Sequence, residues 1–201
     1  MGLWLAAAPL VLASGSVVRR KLLEAAGIPV EVRPASLDER AVEASAPSDD
    51  PSAVAALLAR AKALRVAADV PGRLVVGADQ TLALGNRRFD KPADRTAARA
   101  QLKTLAGQIH ELHAAVAVAR GGDVLFEHVG VARLTMRPLS DAFLDRYLEA
   151  AGAEVTASVG AYQLEALGVH LFERIEGDHF TILGLPLLPL LAYLRAEGSL
   201  A

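Results

Sequence analysis

The chain has no cysteine among its 201 residues. A disulfide framework, a thiol nucleophile and a thiolate metal site are therefore excluded. Aromatic residues are scarce at 4%, so a core must be built from Ala, Val and Leu, which the 53% hydrophobic content supplies. An excess of one charge is missing too. A formal net charge of -2 offers no general attraction to nucleic acid, and no nucleic-acid partner is expected. No apolar run reaches the roughly 20 residues of a membrane span. The best candidate, ILGLPLLPLLAYL, is broken by Gly184, Pro186 and Pro189. The N-terminal MGLWLAAAPLVLASGS has no Lys or Arg before Arg19, so the cationic start of a signal peptide is lacking and a first buried strand is expected instead. These absences lead to the expectation of a cytoplasmic protein with no membrane partner. The length suits a single domain over 1–201, or two small lobes around one cleft.

What is present mixes helices, short hairpins and isolated strands, which predicts an α/β chain with a mixed sheet. A strand at 10–13 leads through Ser14-Gly15-Ser16 into a helix at 17–26, stopped by Gly27. A strand at 28–33 precedes a polar, irregular stretch at 34–50. Asp50-Pro51 reads as an N-cap followed by Pro at N1, opening a helix to about 68 that carries Lys62. Asp94 and Ser140 cap two more helices, ended by Gly107 and Gly152. A long hairpin spans 109–137 about Gly121-Gly122-Asp123. Short strands and loops are expected over 161–178, and a last helix over 186–197.

The stretch at 74–92 organises the rest. Leu74-Val75-Val76 reads as a buried strand that turns polar at Gly77-Ala78-Asp79-Gln80. A second short strand at 81–84, a turn at Gly85-Asn86 and an exit through Phe89-Asp90-Lys91-Pro92 would follow. Asp79 is then expected beyond the carboxyl end of a strand, where open α/β sheets place ligands. An acid and a lysine flanking one hairpin suit a phosphate substrate held by a metal ion.

Other segments could add to that chemistry. Ser14-Gly15-Ser16 before a helix with Arg19 and Arg20 can form an anion site, though the P-loop spacing is absent. Asp38, Glu39 and Asp79, with Glu173, Glu176 and Asp178 later, are acids of the type that Mg²⁺ accepts in ones and twos. His110 and His113 lie three apart on a predicted strand, hence on opposite faces, and none of the five histidines is assigned a catalytic role. In GAYQLEALG, Gln163 and Glu165 share parity on an extended segment and could face a base together. Taken singly, each of these reads more simply as a capped helix, a solvated loop or a polar edge strand.

As an ordered set they carry more. LASGSVVRRKLL, LDE at 37–39, LARAKA at 58–63, VVGADQTL, DKP at 90–92, GAYQLEALG and LFERIEGDHFTILGLPL cover nearly the whole chain. In this order they resemble the Maf family of nucleoside triphosphate pyrophosphatases. The resemblance implies an elongated α/β fold with two lobes around a deep cleft, shared with inosine triphosphate pyrophosphatases. It implies hydrolysis of a nucleoside triphosphate between the α- and β-phosphates, giving NMP and pyrophosphate, with Mg²⁺ or Mn²⁺. It leaves a homodimer open. By residue, it implies Asp79 orienting or deprotonating water, Glu39 with Asp79 on the metal, and Arg19, Lys62 and Lys91 neutralising phosphate charge. Ser14 would hold phosphate oxygens, and Gln80, Gln163 and Glu165 would stand near the base.

The departures from the family's pattern bear on the base. Val17-Val18 replace Pro and Arg of SGSPRR, Asp90 replaces the Gly of GKP, Gln80 follows GAD in place of Thr, Glu165 replaces a frequent Gln, and Ser158 replaces a lysine. Gln80 and Glu165 resemble the 7-methyl-GTP branch more than the dTTP/UTP branch. A carboxylate can accept from the N1–H and amino group of guanine, and cannot donate to the carbonyl oxygens of uracil or thymine. Val18 lacks the aromatic stacking surface that branch tends to carry. The alternatives are a dTTP/UTP pyrophosphatase of the same family and a nucleotide-binding regulator of septum formation. The retained Glu39, Asp79, Lys62 and Lys91 argue against a binding-only protein.

Overall fold

Most helix starts in this protein are set by side-chain oxygens placed just ahead of them, the last helix, behind Pro186, being the exception. The computed structural model describes residues 2–46 and 48–201. After β1 (Leu10–Leu12), Ser16 accepts from Arg19 N at the head of α1 (Val17–Ala25). Beyond β2 (Val30–Val32), Asp38 caps α2 (Glu39–Ala44) and Asp50 caps α3 (Pro51–Ala67). β3 (Val75–Leu84) and β4 (Arg87–Phe89) form a hairpin, and Asp94 then caps α4 (Arg95–Leu105). The hairpin of β5 (Ile109–Arg120) and β6 (Asp123–Met136) leads to α5 (Asp141–Ala151), capped by Ser140. Short 3-10 turns fill Gly152–Thr156, Val159–Ala161 and Leu167–Leu171. β7 (Phe172–Glu176), α6 (His179–Ile182) and α7 (Leu187–Ala196) complete the chain. Each capping oxygen satisfies an N–H of the first turn that has no partner inside the helix.

The strands form one mixed sheet in the order β2-β1-β3-β5-β6-β7, with β4 also on β3. β1 is parallel to β2 and β3, and the other pairs are antiparallel. Along one edge of β3, β1 covers only Val75 and Val76, and β4 covers only Leu82 to Leu84. Between them the edge from Gly77 to Thr81 has no strand beside it among the described residues, and the cleft opens there. On the other edge β3 pairs continuously with β5 from Val75 to Ala83.

Different layers cover the two ends of the long strands. At one end Leu82, Leu112 and Leu134 pack with Leu102 of α4 and Leu144 and Leu148 of α5. At the other, Val76, Ala78 and Val118 pack with Leu23 of α1 and Leu190 and Leu194 of α7. α3 lies across the opposite face, where Ala55, Ala59, Ala63 and Ala67 meet Ala115, Ala117 and Ala119. Small residues on both sides let helix and sheet approach closely. At Gly77 a Cβ would stand 2.1 Å from the Ala59 carbonyl oxygen, so only glycine fits.

The structure corrects four expectations. Residues 74–84 are one strand, not two, so Asp79 lies within β3 and not beyond a strand end. The irregular stretch at 34–50 contains α2. The segment at 161–178 begins with 3-10 turns, so Gln163 and Glu165 share no strand parity, and α6 follows it. Of the N-terminal apolar residues, only Leu10–Leu12 form the buried strand. Leu3 and Leu5 are exposed, and Trp4 bridges to Leu200.

Candidate active site

Alternation along β3 divides its polar residues between two faces. Gly77, Asp79 and Thr81 face α3, while Ala78, Gln80 and Leu82 face the other way. Polar residues survive inside this strand because each has a partner from a distant segment. Thr81 Oγ1 donates to the Pro51 carbonyl at 2.9 Å, which ties the start of α3 to β3. Gln80 Nε2 donates to the Thr181 and Ile182 carbonyls at 3.1 and 3.0 Å. Asp79 meets Lys62.

Lys62 lies directly before Ala63 and three residues after Ala59, the residues that press against Gly77, and this contact brings its ammonium to Asp79. Nζ is 2.5 Å from Asp79 Oδ1 and 2.9 Å from Glu39 Oε1. Lys62 is 8% exposed and Asp79 9%, while Glu39 is exposed at the start of α2. Three residues from two helices and a strand thus converge on one point.

Arg19 is held from the other side. Its Nε donates to the Gly184 carbonyl at 2.8 Å, and Nη1 donates to the Ala78 carbonyl at 2.8 Å and to Ser14 Oγ at 3.0 Å. It therefore occupies the stretch of β3 edge that lacks a neighbouring strand. Burial pulls its pKa below the ordinary guanidinium value, and the negative charges of Asp79 and Glu39 oppose that fall.

One cleft of about 1380 Å³ is lined by all of Ser14, Arg19, Glu39, Lys62, Asp79, Gln80, Lys91, Gln163 and Glu165. Lys91 and Glu165 are exposed on its walls. Gln80 and Gln163 reach it with their amides already engaged, since Gln163 Nε2 donates to Glu154 Oε2 at 2.7 Å. The Gln80 N–H groups are thus turned to the Thr181 and Ile182 carbonyls, just ahead of the Gly184 carbonyl that holds Arg19.

The other polar candidates lie elsewhere. His110 Nε2 and the Tyr162 hydroxyl are 2.7 Å apart within the core, and His113 Nδ1 is 2.7 Å from Ser52 Oγ on the α3 side. The two histidines take opposite faces of β5, as their spacing predicts. Asp178 caps α6, Glu176 pairs with Arg174, and Glu173 is exposed on β7. Asp38 caps α2 and so supports Glu39 from outside the cleft.

Arg88 and Glu43 were not legible as site residues. Both line the cleft, and they pair across it at 3.3 Å, joining α2 to β4. Sequence does not separate Arg88 from Arg87, because only the docking of α2 gives one of them a carboxylate.

Among the described residues no cluster of three or more His, Cys, Asp or Glu side chains could hold a metal ion. Two carboxylates do converge on one cation, the Lys62 ammonium. That donor set fits a hard ion such as Mg²⁺, which takes one or two carboxylates and completes its shell with water and substrate phosphates.

Comparison with known proteins places the chain among relatives. The Maf-like protein family model matches residues 9–197. A nucleoside triphosphate pyrophosphatase of Bradyrhizobium diazoefficiens is 59% identical over 201 residues, covering 100% of both chains. One from Rhodopseudomonas palustris strain BisB18 is 57% identical over 201 residues, again covering 100% of both. A 7-methyl-GTP pyrophosphatase of Rhizobium etli is 53% identical over 193 residues, covering 95% of this chain and 97% of that protein.

Proposed function

Because the chain belongs to the Maf family and is a nucleoside triphosphate pyrophosphatase, we propose that its cleft cleaves the α–β phosphoanhydride of a modified guanine nucleotide, with 7-methyl-GTP as the favoured substrate. Water attacks the α-phosphorus, the bond to the bridging oxygen breaks, and NMP and pyrophosphate form. Asp79 orients the water and takes its proton. Its place inside a hydrogen-bonded strand fixes that carboxylate better than a loop would. Ser14, Arg19, Lys62 and Lys91 surround the phosphates and offset the charge that builds on the leaving pyrophosphate. Glu39 and Asp79 would hold Mg²⁺ or Mn²⁺, which supplies further positive charge at the phosphates when bound.

The observation that carries this reading is the convergence of Glu39, Lys62 and Asp79 on one point in the cleft. For the base, the support is Glu165, a carboxylate free to face a guanine edge or a cationic methylated base from the cleft wall. The relative from Rhizobium etli, named for 7-methyl-GTP, points the same way. Gln163 could also meet a base from the cleft: Glu154 takes one of its two amide N–H groups and leaves the other free.

The test is pyrophosphate release from 7-methyl-GTP, GTP, dTTP, UTP, CTP and ITP, with Mg²⁺, with Mn²⁺ and with chelator. Release is expected to be greatest from 7-methyl-GTP, to need the metal, and to fall by about 10²–10⁴-fold in Asp79→Asn with an unchanged circular dichroism spectrum. A preference for dTTP and UTP would keep the hydrolytic mechanism and discard the base assignment. Full activity in folded Asp79→Asn would remove Asp79 from the water.

A further inference from the structure

The Lys62 ammonium and a divalent ion compete for the same two carboxylates. Nζ lies 2.9 Å from Glu39 Oε1 and 2.5 Å from Asp79 Oδ1. A Mg²⁺ ion on those oxygens would sit at about 2.0–2.1 Å from each. The two cations cannot share that space, and their repulsion at such a separation is large. Something must nonetheless stand there in the free protein, because Asp79 is 9% exposed and a buried carboxylate without a counter-charge is strongly disfavoured.

From this we infer that Lys62 is a resident counter-cation: it closes the metal site of the nucleotide-free protein and gives it up only when a triphosphate arrives. The inference rests on the assignment of Glu39 and Asp79 to the metal. Lys62 suits the exchange because its four-carbon stem is flexible and its three donors need no fixed geometry. Phosphate oxygens in the cleft offer it a new partner while they also bind the incoming ion. Arg19 cannot make the same move, since the Ala78 and Gly184 carbonyls and Ser14 hold it in place. Metal and nucleotide therefore bind with positive coupling, and neither binds well alone.

Mn²⁺ binding, read from the loss of the free-ion paramagnetic resonance signal, tests this on the full chain without catalysis. It is measured with and without an α,β-methylene nucleoside triphosphate, whose α–β link resists hydrolysis. Without nucleotide, Lys62→Met is expected to bind Mn²⁺ about tenfold more tightly than the wild type. After subtraction of the Mn²⁺ that the analogue binds without protein, the analogue is expected to tighten Mn²⁺ binding in both, and by less in Lys62→Met than in the wild type. Lys62→Gln, which keeps a hydrogen-bond donor between the acids, serves if the methionine variant fails to fold. Glu39→Gln and Asp79→Asn are each expected to weaken Mn²⁺ binding. If they do so while neither Lys62 variant tightens it, the counter-cation role is overturned and the metal assignment stands. If neither acid matters to Mn²⁺, the metal assignment falls and this inference falls with it.

Discussion

Glu165 and Gln80 both line the cleft, and they differ in how far the protein already engages them. The Gln80 amide is bonded to two carbonyls of the α6 segment, whereas Glu165 is exposed. Discrimination should therefore depend on Glu165. Glu165→Gln is expected to lower the ratio of kcat/KM for 7-methyl-GTP over dTTP by about 10- to 100-fold, the worth of a charged hydrogen bond. An unchanged ratio would take Glu165 out of the base contact. His110 makes a separate residue-scale prediction. Burial pushes its pKa from 6.5 down to about 4. The unfolded chain then binds a proton before the folded one does. Its contribution is fully present above pH 6.5 and is lost as pH falls towards 4, amounting to about 3 kcal/mol. His110→Gln can still bond the Tyr162 hydroxyl and cannot titrate in this range. Urea midpoints for this variant should fall less between pH 7 and pH 4.5 than those of the wild type. Equal falls would place the acid sensitivity elsewhere.

At the scale of elements, the contact between α3 and β3 sets the active-site spacing. Gly77→Ala would drive a methyl group into the Ala59 carbonyl and the Ala63 amide. Overpacking of this kind costs about 2–3 kcal/mol, and the push on α3 would also carry Lys62 away from Asp79. A lowered melting temperature with reduced turnover is expected, while wild-type stability in this variant would show that the helix can shift freely. The capping oxygens make a milder case. Asp50→Ala removes the acceptor for Ala53 N and should cost about 1 kcal/mol in chemical denaturation, without altering the cleft. These caps were legible because they act within three residues. α2 was not, because it is six residues long and has no buried face. Its position depends on Asp38 and on Glu39 and Glu43, whose partners Lys62 and Arg88 lie far along the chain.

For the whole molecule, the long strands decide how the protein unfolds. β3 and β5 place side chains in all three core clusters, so the two ends of the sheet share a backbone ladder. Loss of one end exposes the other, which favours a single cooperative transition. Trp4 reports on the end near Leu200, while far-UV circular dichroism reports on every element. The two signals should give coincident urea curves. An earlier tryptophan transition would show that the ends melt separately.

The helix starts at Asp50, Asp94 and Ser140, the 109–137 hairpin and the family resemblance were all determined by sequence alone. Most of the cleft's candidate residues were also named from sequence, but Arg88 and Glu43 were not. Those signals are short-range: a cap acts within one turn, and a hairpin is marked by its own glycines. What tertiary structure decided was who meets whom. It made Gly77 to Thr81 part of one strand, because Lys62, Thr181, Ile182 and Pro51 supply partners that no local pattern announces. It tied the Gln80 amide to the Thr181 and Ile182 carbonyls, and it set one ammonium between Glu39 and Asp79. These pairings depend on strand register and on how closely a helix can approach a glycine, and both exist only once the sheet has formed.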